Sequence, residues 1–226
     1  MASLVVFDYD WSLINDNSDT FVFKVLQPEL LDHLKQLTAA GVQWTAAIDQ
    51  TLSRLSTSRA QLVETIAQVP VQPGMLEAVH HAHAQGADIM IVSDANTVFI
   101  ESFLELHNLQ HIVRPVYTNP AAFEGDVLHV RPYHSPPPGC PKCPVNMCKG
   151  AILRDIKAQK SYAKVVYIGD GGGDFCPTSE LSRNDFALAR ADYELAKRLA
   201  AAPDLPVNVR SWSTGQDILA LFQELL

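Results

Sequence analysis

The chain is 226 residues long, 47% apolar and 19% charged, with 11 Gly and 14 Pro. That composition excludes a collagenous, coiled-coil or wholly disordered protein and fits one domain, or one domain carrying a small insertion. A formal net charge of −8 without any run of Lys or Arg argues against nucleic acid or an anionic membrane as the main partner.

The opening MASLVVFDYD has no basic segment, and its apolar run stops at Asp8, so no secretory signal is expected. No stretch approaches the roughly 18–20 apolar residues that span a bilayer, and a cytoplasmic protein is expected. Leu4–Tyr9 reads as a buried parallel strand. From Pro28 to about Gln68 the pattern is helical. PELLDHLKQLTAAG places Leu30, Leu31, Leu34 and Leu37 on one stripe, which reads as core between helices, and WTAAIDQTLSRL and SRAQLVETIAQV follow. MLEAVHHAHAQG is a further helix ending at Gly86; its His80, His81 and His83 read as solvated.

Ala87–Asp94 is the second strand, with Thr97–His107 the helix after it. HIVRPVYT is a third strand, and FEGDVLHVRPY a hairpin turning at EGD. HSPPPGCPKCP is too rich in Pro for regular structure. Lys149–Gln159 begins a helix, KVVYIGD and DFALAR are two more strands, and Asp192–Ala201 and Thr214–Leu226 are the last helices. Alternating strands and helices predict an α/β fold, a Rossmann-like doubly wound parallel sheet. A small helical cap, 15–72, is inserted after the first strand, leaving 1–14 and 73–226 as the catalytic core.

Such sheets bind ligands beyond the carboxyl ends of their strands, where Asp8, Asp10, Ser93, Asp94 and Asp170 all fall. Together these residues supply what phosphoryl transfer through a covalent intermediate needs. Asp8 can attack phosphorus, and Asp10 can protonate the leaving oxygen and then activate water. Asp8 and Asp170 offer hard oxygen ligands to Mg²⁺. Ser93 and Lys149 can hold the phosphoryl oxygens. Each fragment alone has a plainer reading: an acidic surface turn for DYD, a flexible turn for GDGGGD, a helix cap for Ser93, and Lys164 as a competitor of Lys149.

DYDWS, Ser93, the Lys149 of CKG and GDGGGD resemble, in order, the four motifs of the haloacid dehalogenase superfamily. NDNSDTFV, SDAN, CPxNMCKG and GDGGGDFCP resemble more narrowly the phosphoethanolamine/phosphocholine phosphatase family, which includes pyridoxal-phosphate phosphatases. The resemblance implies Mg²⁺-dependent hydrolysis of a small phosphomonoester, with Asp8 as nucleophile and Asp10 as acid/base. It implies Asp8, the Asp10 main-chain oxygen and Asp170 as metal ligands, to which Asp174 of the same loop is added. Asp19 and Asp94 take the places where the family recognises a cationic amine; a helix cap and a turn are their plainer readings. Ser12 stands where Thr is commoner, Gly173 replaces a frequent Asn, and Trp11 is a bulky residue at a variable position.

Hydrolysis of pyrophosphate, thiamine monophosphate or a nucleotide by the same mechanism is the nearest alternative, with a phosphomutase and a non-catalytic phosphate- or partner-binding module behind it. Cys140, Cys143 and Cys148 have a CxxC at their head, and His134 or Cys176 is available as a fourth ligand. No second spacing typical of zinc sites is present, so a reduced, packed loop is the expectation.

Overall fold

The computed structural model describes residues 2–226. Six strands form one parallel sheet: β1 (Ser3–Phe7), β2 (Asp88–Asn96), β3 (Val113–Asn119), β6 (Lys164–Gly169), β7 (Phe186–Arg190) and β8 (Asn208–Trp212). Their order is β3-β2-β1-β6-β7-β8. The antiparallel hairpin of β4 (Ala121–Glu124) and β5 (Val127–Val130) stands apart, turning through Gly125 as EGD predicts.

β1 is buried on both faces, and its side chains alternate between two cores. Val5 and Phe7 join the cluster under α5 (Met75–Ala84), α6 (Thr97–Leu106) and α10 (Gly215–Leu225); Leu4 and Val6 join the one under α7 (Lys149–Gln159) and α9 (Glu194–Ala200). The chain leaves β1 toward β2 on one side and β6 on the other, so the crevice of this sheet opens at the end of β1. Register completes the placement. Phe7 pairs with both Ile91 and Ile168, so Ser93 and Asp170, two residues further along, flank the turn that carries Asp8 and Asp10.

Between β1 and α5 lie α1 (Ser18–Leu26), α2 (Leu30–Ala39), α3 (Trp44–Leu52) and α4 (Arg59–Ile66). α4 opens with a reciprocal Ser58–Gln61 capping box. The crossing segments are stitched together where Asn15 N–H donates to the Pro70 carbonyl (2.7 Å) and Gln72 Nε2 donates to Asn15 Oδ1 (3.1 Å). Val22, Phe23, Leu34, Ile48 and Ile66 of these helices belong to the same apolar cluster as Val5 and Phe7. The hairpin braces them: the Val130 N–H and the His129 ring reach Asp49 of α3, and Asp126 accepts from the Arg59 N–H at the start of α4.

Two elements differ from the sequence reading. α1 begins ten residues before Pro28, capped by Asn17, whose side chain accepts from the Thr20 N–H. β8 was not expected; it is a short edge strand whose Val209 is exposed. No helix among the described residues is long and apolar enough to cross a membrane.

Candidate active site

β1 ends at Phe7 because the chain then turns sharply. The Asp8 N–H donates to the Ile168 carbonyl (2.9 Å), its carboxylate accepts from the Tyr9 N–H (2.7 Å), and Trp11 adopts a left-handed φ of 56°. Arg190, at the carboxyl end of β7, holds this turn by donating to the Trp11 carbonyl and to Asn15 Oδ1, both at 2.6 Å. Its guanidinium lies over the rings of Tyr193 (4.6 Å) and Trp212 (5.2 Å).

Every expected site residue lines one cavity of about 180 Å³: Asp8, Asp10, Asp19, Ser93, Asp94, Lys149, Asp170 and Asp174. Lys149 is buried and donates to Asp8 Oδ2 (2.9 Å) and Asp174 Oδ1 (2.8 Å). Lys164, its competitor in sequence, begins β6 at the opposite end of the strand and reaches the Leu225 carbonyl. Ser93 is not the cap of α6; Asn96 is, accepting from the Phe99 N–H, so the Ser93 hydroxyl is left to accept from the Ala95 N–H and face the cavity.

The Asp10 carboxylate is held by the Ser18 N–H and Asn17 Nδ2, both at 2.9 Å. Asp170 accepts from the Ser12 hydroxyl (3.2 Å). Asp174 is saturated: Oδ1 takes Lys149 and the Tyr167 hydroxyl (2.7 Å), and Oδ2 takes the N–H groups of Asp170 (3.2 Å) and Gly171 (2.9 Å). Asp19 accepts from the Trp44 indole N–H (3.0 Å), and Asp94 from Asn146 Nδ2 (2.7 Å). Gln43 at the head of α3 donates to Asn146 Oδ1 (2.9 Å), which links the inserted helices to the loop before Lys149.

Six carboxylates and one ammonium share this cavity, and their protonation shows it. Burial, then the charge of Asp174, holds the Asp8 carboxyl well above its usual range against the pull of Lys149. Burial and neighbouring Asp19 push Asp10 to about 8, and burial with Asp174 pushes Asp170 to about 7. Burial raises Asp19 to about 6 against the Trp44 indole, with Asp94 adding to the rise. Burial works against the Lys149 charge, but Asp174, Asp8 and Asp94 together outweigh it and raise its pKa. Carboxylate oxygens of Asp8, Asp170 and Asp174 lie within 4.8 Å of one another. A clustered, hard, anionic donor set with excess negative charge fits a divalent cation of the Mg²⁺ type.

A model of the family described as Putative Phosphatase matches residues 3–226. The chain belongs to that family. It is a phosphatase. A thiamine phosphate phosphatase-like protein of Arabidopsis thaliana is 34% identical to it, over 100% of this chain and 96% of that one. A pyridoxal phosphate phosphatase of Bos taurus is 33% identical, over 100% and 99%. Among solved structures, a haloacid dehalogenase-family hydrolase of Salmonella enterica superposes with a TM-score of 0.69 at 16% identity, over 99% of this phosphatase and 72% of that chain, and shares its fold.

Sequence reasoning missed the groups that hold the site: Asn17, Trp44, Asn146, Tyr167 and Arg190. Arg190 had a usable signal as the last residue of a strand, and Asn17 and Asn146 lie inside the NDNSDTFV and CPxNMCKG motifs. Gly169 of the phosphatase is constrained by the same network, since a Cβ there would lie 2.6 Å from Asp174 Cγ. Gly169→Ala is expected to displace that carboxylate and lower stability by roughly 1–3 kcal/mol, read by urea unfolding.

Proposed function

We propose that this phosphatase hydrolyses a small phosphomonoester bearing a cationic amine, of the phosphoethanolamine, phosphocholine or pyridoxal phosphate type, through an aspartyl phosphate on Asp8. The observation that carries this reading is the single cavity joining Asp8 and Lys149 to buried Asp19 and partly buried Asp94. Its volume of about 180 Å³ lies below the roughly 300–1,000 Å³ of drug-sized ligand sites, which favours a small metabolite over a nucleotide. Asp8 and Asp170 would hold Mg²⁺ with the Asp10 carbonyl; bound there, the ion would polarise the phosphoryl group and offset its repulsion by Asp8.

The chain's own groups do the rest. Lys149 and the Ser93 hydroxyl orient the phosphoryl oxygens. Asp8 attacks phosphorus while Asp10, oriented by Asn17 and Ser18, gives its proton to the departing alcohol oxygen. Asp10 then takes a proton from the water that hydrolyses the acyl phosphate, restoring both carboxyls. Asp174, expected among the metal ligands, has all four of its contacts taken by donors; we assign it the positioning of Lys149 and the Gly loop. Residues 15–72 act as a cap that excludes bulk water, a role supported by the stitched crossing at Asn15 and by Trp44 lining the cavity. Four free thiols suit a reducing, cytoplasmic setting.

The test is a kcat/KM screen, with and without Mg²⁺, over phosphoethanolamine, phosphocholine, pyridoxal phosphate, thiamine monophosphate, pyrophosphate and p-nitrophenyl phosphate. Asp19→Ala is expected to raise KM for the amine-bearing esters more than for the aryl ester. An equal effect on both removes the amine-binding role. Holding Asp19 ionised costs stability, because its folded pKa of about 6 exceeds the value near 3.9 of an unfolded aspartate. The penalty is absent below the unfolded value and fully present above pH 6. Asp19→Asn is therefore expected to gain about 2–3 kcal/mol at pH 7.5 and almost nothing at pH 4, measured by denaturant unfolding.

A further inference from the structure

The phosphatase chemistry makes no use of the four cysteines. They come from two distant segments, the Pro-rich loop between β5 and α7 and the turn after Asp174, here named α8 (Phe175–Thr178). All four sulfurs lie within 4.8 Å of one another. Cys143 and Cys148 are 3.5 Å apart, Cys140 and Cys176 3.8 Å, and Cys148 and Cys176 3.9 Å. A tetrahedron of thiolates with metal–sulfur bonds of about 2.3 Å has sulfur–sulfur edges of about 3.8 Å. None of these separations is a disulfide, and all four thiols are free.

The surroundings suit bound thiolates. Cys140 and Cys143 close a turn in which the Cys143 N–H meets the Cys140 carbonyl (3.4 Å). Cys148 caps the eleven-residue helix α7, and its sulfur accepts from the Ala151 N–H (3.4 Å). Gly150 must lack a side chain, because a Cβ there would lie 2.5 Å from Cys176 Sγ. His134 is excluded from the set, since its Nδ1 accepts from the Cys148 N–H (3.3 Å).

We propose that Cys140, Cys143, Cys148 and Cys176 bind one structural zinc ion. Each thiol loses its proton to solvent as its sulfur coordinates, and four protein ligands leave no open position for catalysis. The ion is a staple. It fastens a long loop without regular structure to the core, and it ties Cys148, next to Lys149, to Cys176, two residues after Asp174.

The test uses the intact protein purified under reducing conditions. Elemental analysis is expected to find one zinc per chain, retained in Asp170→Asn, whose change lies in the oxygen site, and lost in Cys143→Ser. Cobalt substituted for zinc is expected to give the strong visible and near-ultraviolet bands of a tetrahedral thiolate site. Native thiols are expected to resist an aromatic disulfide reagent until a mercurial releases the metal, and stripping zinc is expected to lower Tm. Four reactive thiols without metal, iron in place of zinc, a disulfide found by mass spectrometry, or zinc lost from Asp170→Asn but kept in Cys143→Ser would each overturn the assignment. The readouts do not involve turnover, so they stand apart from the proposed substrate reaction.

Discussion

Asp8→Asn is expected to reduce kcat by roughly 10³–10⁶-fold while the fold survives, because a neutral amide cannot displace an alkoxide from phosphorus. The change is nearly isosteric at a buried position, and Asp174 remains to pair with Lys149. Circular dichroism and thermal unfolding should therefore stay close to those of the parent. Acid-quenched mass spectrometry supplies a direct reading. The parent mixed with substrate should carry one added phosphoryl group, and the variant none. Substantial turnover in the variant would remove Asp8 as the nucleophile.

Lys149→Met is expected to fail in both activity and stability. The side chain lost is the only ammonium among six carboxylates, and it lies within 2.9 Å of Asp8 and 2.8 Å of Asp174. Removing one partner of a buried ion pair typically costs about 3–5 kcal/mol, because the remaining charges lose their compensation. The pH dependence has a defined sign. Asp8 and Asp170 already have raised carboxyl pKa values, Asp170 at about 7, so lowering the pH protonates them and relieves the repulsion. The stability gap between parent and variant should narrow from pH 8 to pH 5 in chelator-treated protein. A gap that widens over that range would show that Lys149 is not neutralising these carboxylates.

The residues that meet in the candidate site were legible because a buried parallel strand announces itself as an apolar run, and the residue that ends the run sits at the carboxyl edge of the sheet. Asp8, Ser93 and Asp170 follow that rule. α1 was not legible: TFVFKVL packs β-branched and aromatic residues so densely that it shows no clear helical period. β8 was not legible either, as it is five residues long and mostly exposed. Several groups that hold the site escaped for a different reason, since their contacts join residues far apart in sequence. Gln43 meets Asn146 across 103 residues, and Arg190 meets Trp11 across 179. The cysteines show the same limit. Three were visible as a cluster, but only folding brings Cys176 in from the other side of α7.

The inserted helices share one continuous oily interior with the sheet, and this restricts how a substrate can get in. A lid built on its own small core could swing as a rigid door; this one would tear its hydrophobic lining to do so. If residues 15–72 act as the proposed cap, passage is left to the polar rim, where the Gln43–Asn146–Asp94 chain and the Trp44–Asp19 contact would be the latches. On the proposed reading, an amine that competes for Asp19 and Asp94 unfastens those latches as it enters, so the cargo itself becomes the key.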